Sequence, residues 1–320
     1  MAPNTLKEDV MIVNEETSEK LVVGAAPRKY KVVWFIVAYA TYVHIAAVYG
    51  LYLAVTSAMW PTIALTFINN ILSILGLTAG VHRLWTHKSY KAKLPLQIFL
   101  MLCHTASNTF TSISWIRDHI LHHKYTDTDA DPHNSTRGFF FSHIGWAMVK
   151  KQPEARAKGK SIDLSELYAN PVLRFQQKNA VWLTLLVAYI IPSLVPLIWN
   201  ETFTVAYHMN LLRVTVVFNT FLLINSVAHM WGTRPYDETI LPAQNKTVSF
   251  FTLGEGFHNY HHVFPHDYRT AELGDNFLNL TTKFIDFCAW MGQAYDRRYV
   301  PDDVIAARMK RTGETNEKNT

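Results

Sequence analysis

The chain has 320 residues, 49% of them hydrophobic, yet its mean hydropathy is only +0.02. That balance excludes both a purely soluble domain and a chain that is all membrane, and fits membrane hairpins joined to a large polar cap. A net charge of +5 and a pI near 9.0 come without any nucleic-acid motif, so the basicity reads as a cytosolic membrane-side surface.

Residues 1–30 are polar and of mixed charge, so the sequence predicts a mobile cytosolic segment rather than a cleavable signal peptide. From Val32 to His82 there is no Lys, Arg, Asp or Glu. A hydrocarbon core of ~30 Å needs roughly 20 apolar residues per helix, so this stretch predicts two crossings, near 32–55 and 61–81, turning at Met59-Trp60-Pro61. Leu94–Phe110 is also apolar, but short and polar at its end, and is expected to be an interfacial or re-entrant piece rather than a crossing. Two further crossings are expected near 181–199 and 211–228, with Arg213 snorkelling from the start of the last one. Lys7, Lys20, Arg28, Lys29 and Lys31 precede the first crossing, and the central loop and the C-terminal segment are basic, whereas the loops 56–60 and 200–210 carry no Lys or Arg. By the positive-inside rule both termini and the central loop are cytosolic.

The expected fold is an all-α membrane protein, with four transmembrane helices in two hairpins and a cytosolic helical cap. Residues 31–309 form one integrated catalytic unit, and the polar tail 310–320 is expected to be mobile. Cys103 and Cys288 give neither a disulfide framework nor a zinc pattern. Four N-x-S/T triplets, at Asn134, Asn200, Asn245 and Asn279, are not expected to carry glycans.

Histidine carries the chemistry. Three boxes stand out: His82 and His87; His119, His122 and His123; and His258, His261 and His262. His229 ends the fourth crossing. In the second and third boxes the spacing is i, i+3, i+4, which places the rings on one helix face, so all three rings of a box can converge on one point. The first box is i, i+5, about 140° around an ideal helix, so its rings meet only if the helix frays or ends there. About nine nitrogen ligands are too many for one ion and suit two, and nitrogen ligation with open positions suits iron that must bind oxygen. Asp118, Asp127, Asp129, Asp131, Glu255 and Asp267 are candidates to accept from the ring N–H groups.

The chain resembles the membrane acyl-CoA desaturases of the stearoyl-CoA type. The resemblance runs from about Tyr30 to Gly313 and is carried by GVHRLWTHKSYKAKLPL (80–96), WIRDHILHHKYTDTDADPHN (115–134), RGFFFSHIGW (137–146), NSVAHMWGTRPYD (225–237) and GEGFHNYHHVFPHDYRTAE (254–272). It implies a di-iron centre held by His82, His87, His119, His122, His123, His229, His258, His261 and His262, with Asn225 holding a metal through a water. His133 and His143 are read as structural hydrogen-bonders, and His266 as no ligand.

The resemblance further implies a fatty acyl-CoA substrate, O2, and electrons from cytochrome b5 and its NADH-dependent reductase. It places the protein in the endoplasmic reticulum membrane. Arg117 and Asp118 match positions that contact the CoA head, Lys150 and Lys151 lie where basic residues meet its phosphates, and Trp115 matches a tunnel wall. Thr109-Phe110 replaces a Gln-Asn pair, and Phe221 stands where a Thr is frequent, so the pocket that bends the chain is reshaped here. Leu241-Pro242-Ala243-Gln244 and the 271–290 run resemble moth sex-pheromone desaturases acting at carbon 11. A hydroxylase or conjugase on the same scaffold, and a membrane scaffold without activity, are the competing readings.

Overall fold

The computed structural model describes residues 30–271 and 278–314. The segment expected to be mobile, 1–30, lies outside the described residues except for Tyr30, as do residues 315–320 of the tail.

Four helices are long and apolar enough to cross a membrane: Trp34–Thr56, Trp60–Thr86, Ala180–Trp199 and Phe203–Met230. Short turns join them in sequence pairs. Thr202 caps the fourth by accepting from the Val205 N–H, so that helix begins eight residues before the expected 211, and the loop expected over 200–210 shrinks. The early start is possible because Asn210 and Arg213, the latter expected to snorkel, find partners inside the bundle.

The first and fourth crossings pack closely. A Cβ on Gly50 would lie 2.4 Å from the His208 carbonyl oxygen, so only glycine permits this approach. Tyr42 and Tyr207 share a hydroxyl hydrogen bond of 2.6 Å across the same contact. The outer faces show Trp34, Phe35, Ile45, Trp182 and Ile198, apolar side chains that suit lipid.

Arg213 does not snorkel. Its side chain is 1% exposed, and it donates to Asn210 Oδ1, Ser73 Oγ and the carbonyls of Ala106 and Ala188 at 2.7–3.0 Å. Ala106 ends the Leu94–Ala106 helix, and Ala188 lies in a π-helical stretch of the third crossing, Leu185–Ile190. Both carbonyls fall where the regular helical ladder is interrupted, and hydrocarbon offers no water to take its place. The expected cost of Arg213→Leu is about 2 kcal/mol, from stranding the Ala106 carbonyl and Asn210 Oδ1, while Asn210 Nδ2 still serves the Ala188 carbonyl. Thermal unfolding in detergent checks it, and an unchanged midpoint contradicts this role.

Leu94–Ala106 spans thirteen residues, about 20 Å at 1.5 Å per residue, and so does not cross. A two-residue antiparallel pair, Lys91–Ala92 with Ala294–Tyr295, ties its start to the C-terminal part of the cap. The helix Ser112–Lys124, capped by Thr111, follows and carries the second box.

The cap closes over these elements through Arg83, 1% exposed, which donates to Glu255, to the carbonyls of Tyr268 and Arg269, and to Thr282 and Asn279. Three of the glycosylation triplets start on asparagines whose side chains are already N-caps: Asn134, Asn245 and Asn279. Cys103 and Cys288 are buried and unpaired. A helix, Asp302–Thr312, continues through the first residues of the tail expected to be mobile. Arg308 anchors it on Asp237, and the Thr312 hydroxyl donates to the Tyr236 carbonyl.

Candidate metal centre

The second crossing changes character before its first ligand. Over Gly76–Thr86 it is π-helical, and the His87 N–H donates to the His82 carbonyl, five residues back, at 3.1 Å. A π-turn is wider than an α-turn and brings i and i+5 onto one side, as such segments do at functional sites. The helix does end at His87, as the i, i+5 spacing requires, but widening rather than fraying aligns the rings. Gly76 begins this stretch, and a Cβ there would lie 2.1 Å from the His104 backbone nitrogen.

All nine candidate rings are brought together, in two groups. One holds His82, His87, His119, His123 and His261; the other holds His122, His229, His258 and His262. The convergence of all three rings of a box on one point, which the spacing allows, therefore does not occur. On a helix the i, i+4 pair points one way and the i+3 ring lies about 60° to its other side. His119 and His123 accordingly serve the first group, and His122 the second. His258 and His262 serve the second, and His261 the first. The second and third boxes each bridge both groups, while His82 and His87 of the first box serve the first group alone.

Neighbouring Nε2 atoms within a group are 2.9–3.1 Å apart: His82–His261, His261–His123, His123–His119, His119–His87, His229–His258 and His258–His262. That is the separation of adjacent nitrogens each about 2.1 Å from a shared centre. Carboxylates fix the tautomers behind them. Glu255 Oε2 lies 2.8 Å from His82 Nδ1, Asp131 Oδ2 2.9 Å from His122 Nδ1, and Asp127 Oδ2 3.0 Å from His229 Nδ1. Asp131 and Asp127 accept from the Nδ1 N–H of His122 and His229, which leaves a bare Nε2 lone pair facing the group, where His122 Nε2 is buried without a hydrogen-bond partner among the described residues. Converging lone pairs repel unless a cation sits between them, so the donor set fits two metal ions.

The electrostatics agree. Burial first, and then neighbouring rings, push His87, His119, His123, His258, His261 and His262 well below the ordinary imidazole value, which keeps them neutral and able to ligate. Burial alone would raise the Glu255 carboxyl, but Arg83 and His82 outweigh it and hold it at about 2. Asp131 is likewise held low, by His122 and His133 against its burial.

Of the other acids singled out, Asp118 pairs with Arg117 and Lys151, and Asp267 accepts from Tyr260 and Arg269. His143 is a hydrogen-bonder, 2.9 Å from Ser226 Oγ and 3.3 Å from Asn219 Oδ1. His133 differs from its expected role. Its Nδ1 has no hydrogen-bond partner among the described residues, and its ring stands edge-on to Trp146 at 4.3 Å. His266 Nδ1 meets the His87 carbonyl. Asn225, one turn before His229, has a buried Nδ2 without a partner among the described residues.

Two adjoining clefts lead to the centre. The outer one is lined by Thr109, Phe110, Trp115, Asp118, Trp146 and Phe221 among others, and the inner one reaches His82, His119 and His258. Trp115, Phe221, His119 and Asn225 line both. The Trp115 and Phe221 rings meet at 5.6 Å, and Trp115 stacks on the His119 ring at 4.8 Å. Beyond Trp146 a polar recess is lined by Arg137, Lys150 and Lys151. The sequence reading missed Arg137. Its Nε and one Nη are buried without hydrogen-bond partners among the described residues, while its guanidinium lies over the Phe141 ring at 3.6 Å. The visible signal was its place at the head of the quoted 137–146 motif.

Comparison with known proteins agrees with this site. The model of the fatty acid desaturase family matches residues 58–282. An acyl-CoA Delta(11) desaturase of Trichoplusia ni is 54% identical over 313 residues, covering 97% of this chain and 90% of the relative. A (11Z)-hexadec-11-enoyl-CoA conjugase of Bombyx mori is 49% identical, covering 98% and 97%. An acyl-CoA Delta-9 desaturase of Acheta domesticus is 49% identical, covering 90% and 81%. A membrane bundle, nine converging imidazoles and a family match across both put this chain in the fatty acid desaturase family.

Proposed function

We propose that this chain is an acyl-CoA desaturase that places a double bond at carbon 11 of a saturated acyl chain, using O2 and two electrons. The observation that carries the reading is the two groups of imidazole nitrogens lying beside an apolar cleft. Its nine histidines would hold two irons, with Asn225 offering a site for a bound water. When bound, those irons supply the oxygen-activating oxidation that removes hydrogen from unactivated methylenes.

The protein's part is positioning. An alkyl chain has no polar handle, so the cleft must fix which methylenes face the centre. Trp115 and Phe221 form the wall nearest His119, and Thr109 and Phe110 form the turn opposite. Arg117, Asp118, Lys150, Lys151 and Arg137 stand at the polar end, where a CoA head carries its phosphates, and set the register of the chain. Asp127, Asp131 and Glu255 stand behind the rings of His229, His122 and His82 and keep them aimed at the two groups. Electrons come from cytochrome b5 and its reductase, docking on the cytosolic cap. The protein is multi-pass in the endoplasmic reticulum membrane with both termini cytosolic, as the loop charges support. Carbon 11 is favoured by the names of the moth relatives, including one of Choristoneura rosaceana at 52% identity.

Expression in a desaturase-deficient yeast fed saturated acids of various lengths tests this. An 11-ene as the main product is expected; a 9-ene overturns the position and keeps the chemistry. The second reading, a conjugase acting on an existing double bond, is favoured by the Bombyx mori relative. Feeding 11-hexadecenoic acid separates it, since only a conjugase returns a diene.

A further inference from the structure

One histidine outside the boxes is buried beside the acyl cleft. His104, 0% exposed, lies in the last turn of Leu94–Ala106. Its Nδ1 is 2.9 Å from Ser112 Oγ, and its Nε2 is 3.4 Å from Thr109 Oγ1 and bonded to the Thr109 backbone. The ring thus spans the turn between two helices, reaching the first residue of Ser112–Lys124. Burial pushes the imidazole down to about 3, so it is neutral, with one donor and one acceptor. The acceptor takes the Ser112 hydroxyl, and the donor faces Thr109.

The remaining protons follow in order. Ser107 Oγ donates to the His104 carbonyl at 2.6 Å, so the Thr109 hydroxyl donates to Ser107 Oγ at 2.7 Å. The Ser112 N–H donates to Gln176 Oε1 at 3.0 Å. Ser107, Thr109, Ser112 and Gln176 are all buried.

This network holds a strained turn. Asn108 and Phe110, on either side of Thr109, both have φ of +58°. Asparagine tolerates the left-handed region, but a bulky side chain such as Phe110 stays there only when its surroundings over-determine it. The result of that conformation is functional, because Thr109 and Phe110 both line the outer cleft, and the Phe110 ring meets Trp146 at 5.9 Å.

We propose that His104 is a positioning residue that, with Ser107 and Ser112, sets the 107–111 turn and through it the position and geometry of the double bond. The inference rests on the acyl-cleft reading above. His104 touches no reacting atom. It acts through the Thr109 hydroxyl and the Phe110 ring, which decide how the alkyl chain bends in front of His119.

The test uses the full chain in yeast microsomes, reading iron per chain, total unsaturated product and the ratio of E to Z and positional isomers. His104→Ala is expected to keep its iron and shift the isomer ratio about fivefold. His104→Gln, which can still donate and accept, is expected to return most of the wild-type ratio. Ser112→Ala is expected to shift it in the same direction, by less. A purely structural clamp would lower all products together and leave the ratio unmoved. The inference fails if His104→Ala and Ser112→Ala both give the wild-type ratio while Thr109→Gln shifts it, an outcome that leaves the acyl cleft standing. If Thr109→Gln and Phe221→Thr also leave the ratio unchanged, the cleft reading itself fails and takes the inference with it. Should His104→Ala not accumulate, Ser112→Ala decides: a shifted ratio supports the inference and an unshifted one overturns it.

Discussion

Replacing His261 by alanine is expected to abolish double-bond formation and to lower bound iron from about two per chain to one or fewer. His261 is 1% exposed, and its Nε2 lies 3.0 Å from that of His82 and 2.9 Å from that of His123. It therefore sits between a ring from the π-helical end of the second crossing and one from the second box. It is also the one ring that its own box sends to the first group, whose other members come from the first two boxes. Alanine there removes a ligand and opens a void that water can enter. The expected loss in turnover is at least about a thousandfold, roughly 4 kcal/mol of barrier. Iron content separates this from unfolding when paired with a control, His208→Ala. His208 bonds to the Thr204 carbonyl and packs on Tyr49 in the membrane bundle, and the change is expected to leave iron and activity intact. Two irons and full activity in the His261 variant would mean that the ring is no ligand.

The rings that converge were legible because imidazole in tight boxes is rare and its chemistry is local. What the boxes build was not. The split into five and four rings follows from the 100° step of the helix, yet it needs the orientation of one helix against another, and no spacing supplies that. The π-stretch over Gly76–Thr86 leaves no propensity signal of its own; only the i, i+5 spacing of His82 and His87 shows that a regular helix would fail. Acids sorted by partner rather than by proximity in sequence: Asp127 reaches His229, 102 positions away, while Asp118 turns to Lys151. Arg213 misled because a charge near a helix end usually seeks water, and the carbonyls it serves instead come from distant elements. The crossings were readable, since an uncharged run is a property of composition. The start of the fourth was not, because the Thr202 cap competes with polar residues downstream that are satisfied internally.

Arg83→Met is expected to be the most damaging change outside the ligand set, costing about 3–5 kcal/mol in stability. Arg83 follows the ligand His82 directly and makes two of its bonds to Glu255 Oε1, at 2.7 and 3.0 Å. Its others fasten the second crossing to the cap at Tyr268, Asn279 and Thr282. Methionine fills the volume but leaves the Glu255 charge buried with only His82 beside it. The pH dependence follows from the same pair. Glu255 is held at about 2 in the fold against an ordinary 4.5, so its contribution, about 3 kcal/mol, is fully present above pH 4.5 and lost as pH falls toward 2. Without Arg83 the carboxyl takes up its proton at higher pH, and iron is expected to dissociate in mild acid where the wild type keeps it. The double change Arg83→Met with Glu255→Met removes both charges and is expected to recover most of the unfolding midpoint, because no lone charge stays buried. It is not expected to recover iron affinity, since His82 Nδ1 loses the carboxylate that fixes its tautomer, a loss of about 10–100-fold. Unfolding midpoints and iron dissociation constants for the wild type, Arg83→Met and the double variant decide between the two roles. Recovery of both quantities in the double variant would mean that Glu255 serves the fold alone and that the His82 ring needs no acid behind it.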